Sequence, residues 1–264
     1  MVWGGTVPRL SPTYLGYLRL KYCLGALRPV TGRLLDAGCG GGGFAKAIKR
    51  YRPDLEVHGI DLGAKAIEYA KTEPGNVIFR VGDICSLPYG DRTFDAVVIE
   101  DVLEHLAQPR NATREISRIL KEGGRFHAFI PLEGAVYSLH YWLRKLGWRA
   151  KERLAGHIQQ FTLPDIRNLL KDSDLTVVDM QGSGHLLGQI IDVGYFTMLA
   201  WSGRSLSSGG LEQELEGKPF KRFLKNVVTA VTHVESMVLA WVPGFGLHIT
   251  SAKGKGSDQL RPGN

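Results

Sequence analysis

The chain has 264 residues, 44% hydrophobic and 22% charged, with a net charge of +7. These are globular proportions with room for one large domain, or one domain with a substantial insertion, which excludes a disordered or low-complexity chain. Three cysteines, Cys23, Cys39 and Cys85, have no Cys-x-x-Cys spacing; they offer no zinc set and predict reduced, structural thiols.

In chain order, residues 11–27 predict a capping helix ahead of a sheet, with Pro12 near its first turn. Leu34-Leu35-Asp36-Ala37 predicts the first strand, and Gly38-Cys39-Gly40-Gly41-Gly42-Gly43 a dense turn from which a helix, Phe44 to Arg50, departs. Glycine at 38 and 40 removes Cβ atoms that would keep a ligand from the backbone, and it permits positive φ. The amides at the head of the helix then point at whatever lies above the strand. That is a cradle for a nucleotide-type cofactor.

Three further strand patterns each end on acids: Val57-His58-Gly59-Ile60 on Asp61, residues 77–81 on Gly82-Asp83-Ile84, and residues 94–99 on Glu100 and Asp101. Strands and helices alternate through residue 130, which predicts a parallel sheet with helices on both faces. Thr162 is placed to cap a helix running to about Lys171. A strand at 175–180 follows, and a last one at 246–252 is expected to pair antiparallel beside it.

Gly38, Gly40 and Gly43 also fit Gly-x-Gly-x-x-Gly with Asp61 about 20 residues on, which alone permits an NAD(P)-linked oxidoreductase. Asp36 weighs against it, because a pyrophosphate would meet a carboxylate there. Four strand ends bearing acids, with no Lys or Arg, suit a cationic adenosine. Asp61 can accept from ribose hydroxyls, and Asp83 from the adenine amino group while Ile84 packs on the ring.

With these residues in order, the chain resembles the class I S-adenosylmethionine-dependent methyltransferases with a small-molecule methyltransferase core. The motifs are LLDAGCGGGG (34–43), GIDLGAKAIEYAK (59–71), VGDICSLPY (81–89), FDAVVIEDVLEHL (94–106) and LKEGGRFHAFIP (120–131). The resemblance implies a Rossmann-like, doubly wound α/β fold: a mostly parallel seven-stranded sheet with an antiparallel last strand and a helical insertion before it. It implies S-adenosylmethionine held by Asp36, Gly38, Gly40, Asp61, Leu62, Asp83, Ile84 and Glu100. His157 matches a histidine common in the family just ahead of the Thr162 helix. His157 and His105 are the candidate bases if the acceptor is a hydroxyl or an acidic carbon, with capping or packing as their structural alternatives. No metal cluster is evident. The Asn-Pro-Pro-Tyr type motif of nucleic-acid base methylation is absent, since the fourth strand ends Ile99-Glu100-Asp101-Val102. This favours an oxygen or carbon acceptor and no nucleic-acid partner.

The resemblance divides the chain into a capping helix (1–30), a cofactor-binding core (31–182 and 244–253), a helical insertion (183–243) and a disordered tail (254–264). The insertion carries two apolar helical patterns joined by a Ser/Gly-rich linker at 202–210. In the first, Leu186 to Ala200, the polar residues His185, Gln189 and Asp192 oppose the apolar ones; the second spans 222–241. A further pattern at 137–151, with Leu139, Trp142, Leu143 and Leu146 edged by Arg144, Lys145, Arg149 and Lys151, predicts one cationic amphipathic helix over the ligand-binding end. It serves either as a substrate lid or as a membrane-interface helix. The expected acceptor is therefore small and lipid-like, prenylated or phosphate-bearing, with an anionic membrane surface as a further partner. The chain opens without a basic-then-apolar signal pattern, so a cytoplasmic enzyme, peripheral on the membrane, is expected. The rival from another class is a non-catalytic membrane- or partner-binding protein that keeps the cofactor fold.

Overall fold

A computed structural model describes residues 4–72, 75–202 and 218–254. Most of the tail expected to be disordered, from residue 255 on, and most of the Ser/Gly linker lie outside the described residues. Seven strands form one sheet: β1 (Arg33–Ala37), β2 (Glu56–Asp61), β3 (Ile78–Val81), β4 (Phe94–Glu100), β5 (Leu120–Pro131), β6 (Leu175–Ser183) and β7 (Gly246–Lys253). Their order is β3-β2-β1-β4-β5-β7-β6, and β7 alone runs antiparallel to its neighbours. This is the doubly wound architecture that the motifs imply.

The strands are continuous apolar runs because both faces are covered. On β4, Ala96 and Val98 join a core with Leu34, Ile48 and Ile67, while Val97 and Ile99 join another with Leu35, Ile116 and Ile166. Helices α1 (Tyr17–Ala26), α2 (Gly43–Tyr51) and α3 (Ala64–Thr72) cover the first face, and α4 (Pro109–Ile119) and α7 (Leu163–Lys171) the second. The capping helix begins only at Tyr17; residues 11–16 ahead of it form turns.

Between β5 and α7 the structure departs from the single predicted helix. Two short helices, α5 (Leu139–Lys145) and α6 (Ala150–Ala155), are separated where Gly147 takes a φ of 88°. Thr162 caps α7 in a reciprocal pair: its hydroxyl accepts from the Asp165 amide while the Asp165 side chain takes the Thr162 amide.

The insertion contributes α8 (Leu186–Ser202) and α9 (Pro219–Val238). It leaves the sheet after Ser183 and returns at Gly246, which are paired with each other, and Gly246 also pairs with Pro131 at the end of β5. Both helices therefore rise from the edge at which the parallel strands end, where doubly wound sheets bind ligands.

Candidate active site

The turn after β1 is held from beneath. The amides of Gly38 and Cys39 donate to the Ile60 carbonyl at 2.8 and 2.9 Å. The Asp61 carboxylate takes the Gly40 amide on one oxygen and the Gly63 amide on the other, both at 2.8 Å. It clamps the two turns together, and each oxygen keeps a second lone pair for a ligand hydroxyl. Gly38, Gly40 and Gly42 all have positive φ. The missing side chains also make room for protein: a Cβ on Gly38 would lie 2.5 Å from Val102, and one on Gly43 2.3 Å from the Thr6 carbonyl. Residues 4–6 lie against this turn, and the Gly43 amide at the head of α2 donates to Gly4 at 2.7 Å instead of pointing at open space.

The acids at the strand ends separate into two kinds. Asp61 and Asp83 are tied to backbone amides, Asp83 to that of Cys85 at 2.8 Å. Leu62 is exposed beside Asp61, whereas Ile84 is buried in the core with Leu35 and Ile60. By contrast, Asp36 is buried and Glu100 turns its carboxyl out of solvent, and one oxygen of Asp36 and both of Glu100 lack a hydrogen-bond partner. Burial, then the neighbouring Asp61 charge, lifts the Asp36 carboxyl to about 7 against the opposing pull of the Ala45 amide. Burial also pushes Glu100 well above the carboxylate range. Orphaned buried carboxyl oxygens beside a glycine turn fit a ligand that brings its own cationic donor. The amino and sulfonium groups of S-adenosylmethionine meet that need; a pyrophosphate does not.

The two predicted histidines come together. His105, in the short helical turn after β4, and His157, after α6, meet edge to face at 4.9 Å between ring centres. His105 is exposed and its Nδ1 bonds the Gly156 carbonyl, whereas His157 is buried and its Nδ1 lies 2.8 Å from Glu133. Burial raises the Glu133 carboxyl, but the His157 hydrogen bond and the Lys151 charge outweigh it and hold the group at about 2. An ionised carboxylate can only accept, so His157 carries a proton on Nδ1 and directs Nε2 away from Glu133. That Nε2 lies 4.0 Å from Glu104, a fully buried carboxyl whose oxygens have no partner. Burial, then Asp101, pushes Glu104 well up. The ligand atoms of Glu104, His105 and His157 converge within 4.8 Å, close enough for a divalent ion to bridge them.

Sequence reasoning missed what stands behind His157. Lys151, read as an edge cation of the predicted amphipathic helix, is 7% exposed and bridges Glu133 at 3.3 Å and Asp192 of α8 at 3.0 Å. Asp192 also takes His140 Nε2 at 2.9 Å. The residues of this buried chain are far apart in sequence and carry no local motif. Its one sequence-level trace is a lone acid in the apolar run of α8.

The methyltransferase domain family matches residues 35–128. The chain is 30% identical over 161 residues to the demethylmenaquinone methyltransferase of Thermotoga maritima, spanning 55% of this chain and 70% of that one. It is 28% identical over 187 residues to the ubiquinone biosynthesis O-methyltransferase of Xanthomonas axonopodis pv. citri, spanning 68% and 77%. The fold is similar to that of the YcgJ protein of Bacillus subtilis, with a TM-score of 0.55, 20% identity, and 92% and 98% of the two chains covered. The glycine turn, the ordered acidic strand ends and these relatives together make the chain a member of the class I S-adenosylmethionine-dependent methyltransferases, an enzyme with S-adenosylmethionine as its cofactor.

Proposed function

We propose that this methyltransferase acts on an oxygen or carbon of a small, lipid-like acceptor, with His157 as the general base. The observation that carries this reading is the buried His157–Glu133 pair, 2.8 Å apart. When bound, S-adenosylmethionine supplies a methyl group already activated on a sulfonium. The chain then has to align a nucleophile, exclude water and accept one proton. Asp36, Gly38, Gly40, Asp61, Leu62, Asp83, Ile84 and Glu100 are assigned to the cofactor side, Asp36 and Glu100 through their unpaired oxygens and Asp61 through its spare lone pairs. Nε2 of His157 takes the proton of the acceptor hydroxyl, while Glu133 keeps the ring oriented and stabilises the imidazolium that results. His105 flanks the same space.

An oxygen acceptor agrees with a relative named for ubiquinone biosynthesis O-methylation, and a quinone-type acceptor with one named for demethylmenaquinone. A lipid-like acceptor is further supported by the apolar residues exposed at this end of the sheet, among them Val136, Trp142 and Leu146. In this reading residues 31–182 and 244–253 hold the cofactor, residues 183–243 serve the acceptor, and the enzyme meets its substrate at a membrane surface. The test is turnover on a prenylated hydroquinone and on its unprenylated analogue. His157→Ala is expected to lower kcat by about 10²-fold with unchanged cofactor affinity. A loss below about threefold with an unaltered pH profile would leave His157 a packing residue.

A further inference from the structure

The insertion is built inside out. On α9 the inward residues are Thr229, His233 and Ser236, while Phe220, Phe223 and Val238, and Trp241 just beyond its end, are 77%, 64%, 66% and 81% exposed. On α8, Gln189 and Asp192 face the protein together with Phe196 and Leu199, while Leu186, Ile190 and Trp201 are 67%, 51% and 93% exposed. Specific bonds fix this orientation. Gln189 accepts from the Leu139 amide, Asp192 holds Lys151 and His140, Ser236 accepts from the Gly184 amide, and His233 donates to the Pro12 carbonyl. Turning either helix over would break these buried contacts, so the apolar faces must be covered from outside.

We propose that α8, α9 and the exposed end of α5 are a docking surface for an anionic lipid bilayer. Charge selects this occupant. The two acids of the described helices α8 and α9 are turned inward, Asp192 to Lys151 and Glu235 to the amides that open α8. The exposed cations lie at the margins: Lys218, Lys221 and Arg222 where α9 begins, and Arg144 and Lys145 where α5 ends. Trp142 of α5, Trp201 near the end of α8 and Trp241 just past the end of α9 are exposed, a composition suited to the headgroup boundary. No described helix is long and apolar enough to cross a membrane, so the pair lies in the interface instead of spanning it. Because the insertion rises beside the ends of β5 and β6, docking turns the acceptor end of the sheet toward lipid. That last step rests on the lipid-like acceptor reading; the docking itself does not.

The test is co-sedimentation of the full chain with vesicles of phosphatidylcholine alone and with phosphatidylglycerol added, at low and high salt. Pelleting is expected with the anionic vesicles and is expected to weaken with salt. The surface pairs Ile190→Ser with Trp201→Ser, and Phe223→Ser with Val238→Ser, are expected to reduce partitioning at least about tenfold while S-adenosylhomocysteine still binds as before. Sedimentation velocity without vesicles is the companion measurement. A chain that stays in the supernatant with anionic vesicles at low salt overturns the proposal. So does a stable dimer abolished by Trp201→Ser, which would assign the face to a second copy. Turnover of a detergent-dispersed prenylated hydroquinone by a variant that no longer pellets separates docking from acceptor choice.

Discussion

Asp36 and Glu133 are both buried carboxyls at strand ends, yet their surroundings drive them in opposite directions, and each has a pH signature. Asp36 rises from 3.8 to about 7, chiefly through burial. Between those values the folded chain keeps a proton that the unfolded chain has lost, so the ligand-free fold loses stability as pH rises through that window. A cationic ligand beside Asp36 reverses the preference, and binding at about pH 6 is expected to release a proton. Calorimetry in buffers of different ionisation enthalpy would read that release, and Asp36→Asn should abolish it. Unchanged release in the variant would place the proton elsewhere, Glu100 first. Glu133 has the opposite sign: its stabilising effect is complete above the unfolded value of 4.5 and is lost as pH falls through about 2. Glu133→Gln leaves Lys151 with Asp192 as its one carboxylate partner, and a loss of about 3–5 kcal/mol in denaturant unfolding is expected. Full stability in that variant would show the pair to be dispensable. Asp36 is legible in the sequence because it stands between a strand and a glycine turn. Glu133 is not, because its partners His157 and Lys151 reach it only through the fold.

Among the elements, the sequence is most informative where one local pattern has one physical outcome. The strands fall within a few residues of their patterns, and β5 coincides with the motif at 120–131. Thr162 caps α7 as its side chain and spacing require, and Thr162→Ala is expected to cost about 1 kcal/mol without touching cofactor affinity. The glycine turn is as demanding as it looks. Gly38→Ala would combine a φ of +84° with a Cβ 2.5 Å from Val102. About 1–3 kcal/mol of stability and most cofactor affinity should be lost. A variant with unaltered Tm and affinity would contradict that geometry. The insertion shows where periodicity stops being informative. The pattern in α8 and α9 identifies an apolar face, but which face turns inward depends on distant residues such as Lys151, Leu139 and Pro12. The predicted helix at 137–151 divides for a related reason: Gly147 adopts a conformation that ends α5, and the chain then turns to bury Lys151.

At the scale of the whole molecule, the proposed base and the proposed docking surface are linked by the chain His157–Glu133–Lys151–Asp192, whose last member belongs to α8. The strands that flank the insertion nevertheless meet in a paired register, Ser183 opposite Gly246. Seen from the sheet, the whole insertion is the loop of a β-hairpin, and closing a longer loop costs only slowly more. A two-residue turn in place of residues 185–244, combined with Lys151→Met to remove the stranded charge, is expected to leave the strand order and the cofactor cradle intact while abolishing turnover. Failure of that chain to bind S-adenosylhomocysteine would show that the cradle needs the insertion. In the proposed reading the hairpin junction is thus a socket: the sheet fixes where the methyl donor sits, and the acceptor-serving segment between β6 and β7 is exchangeable, provided each replacement brings a counter-ion for Lys151.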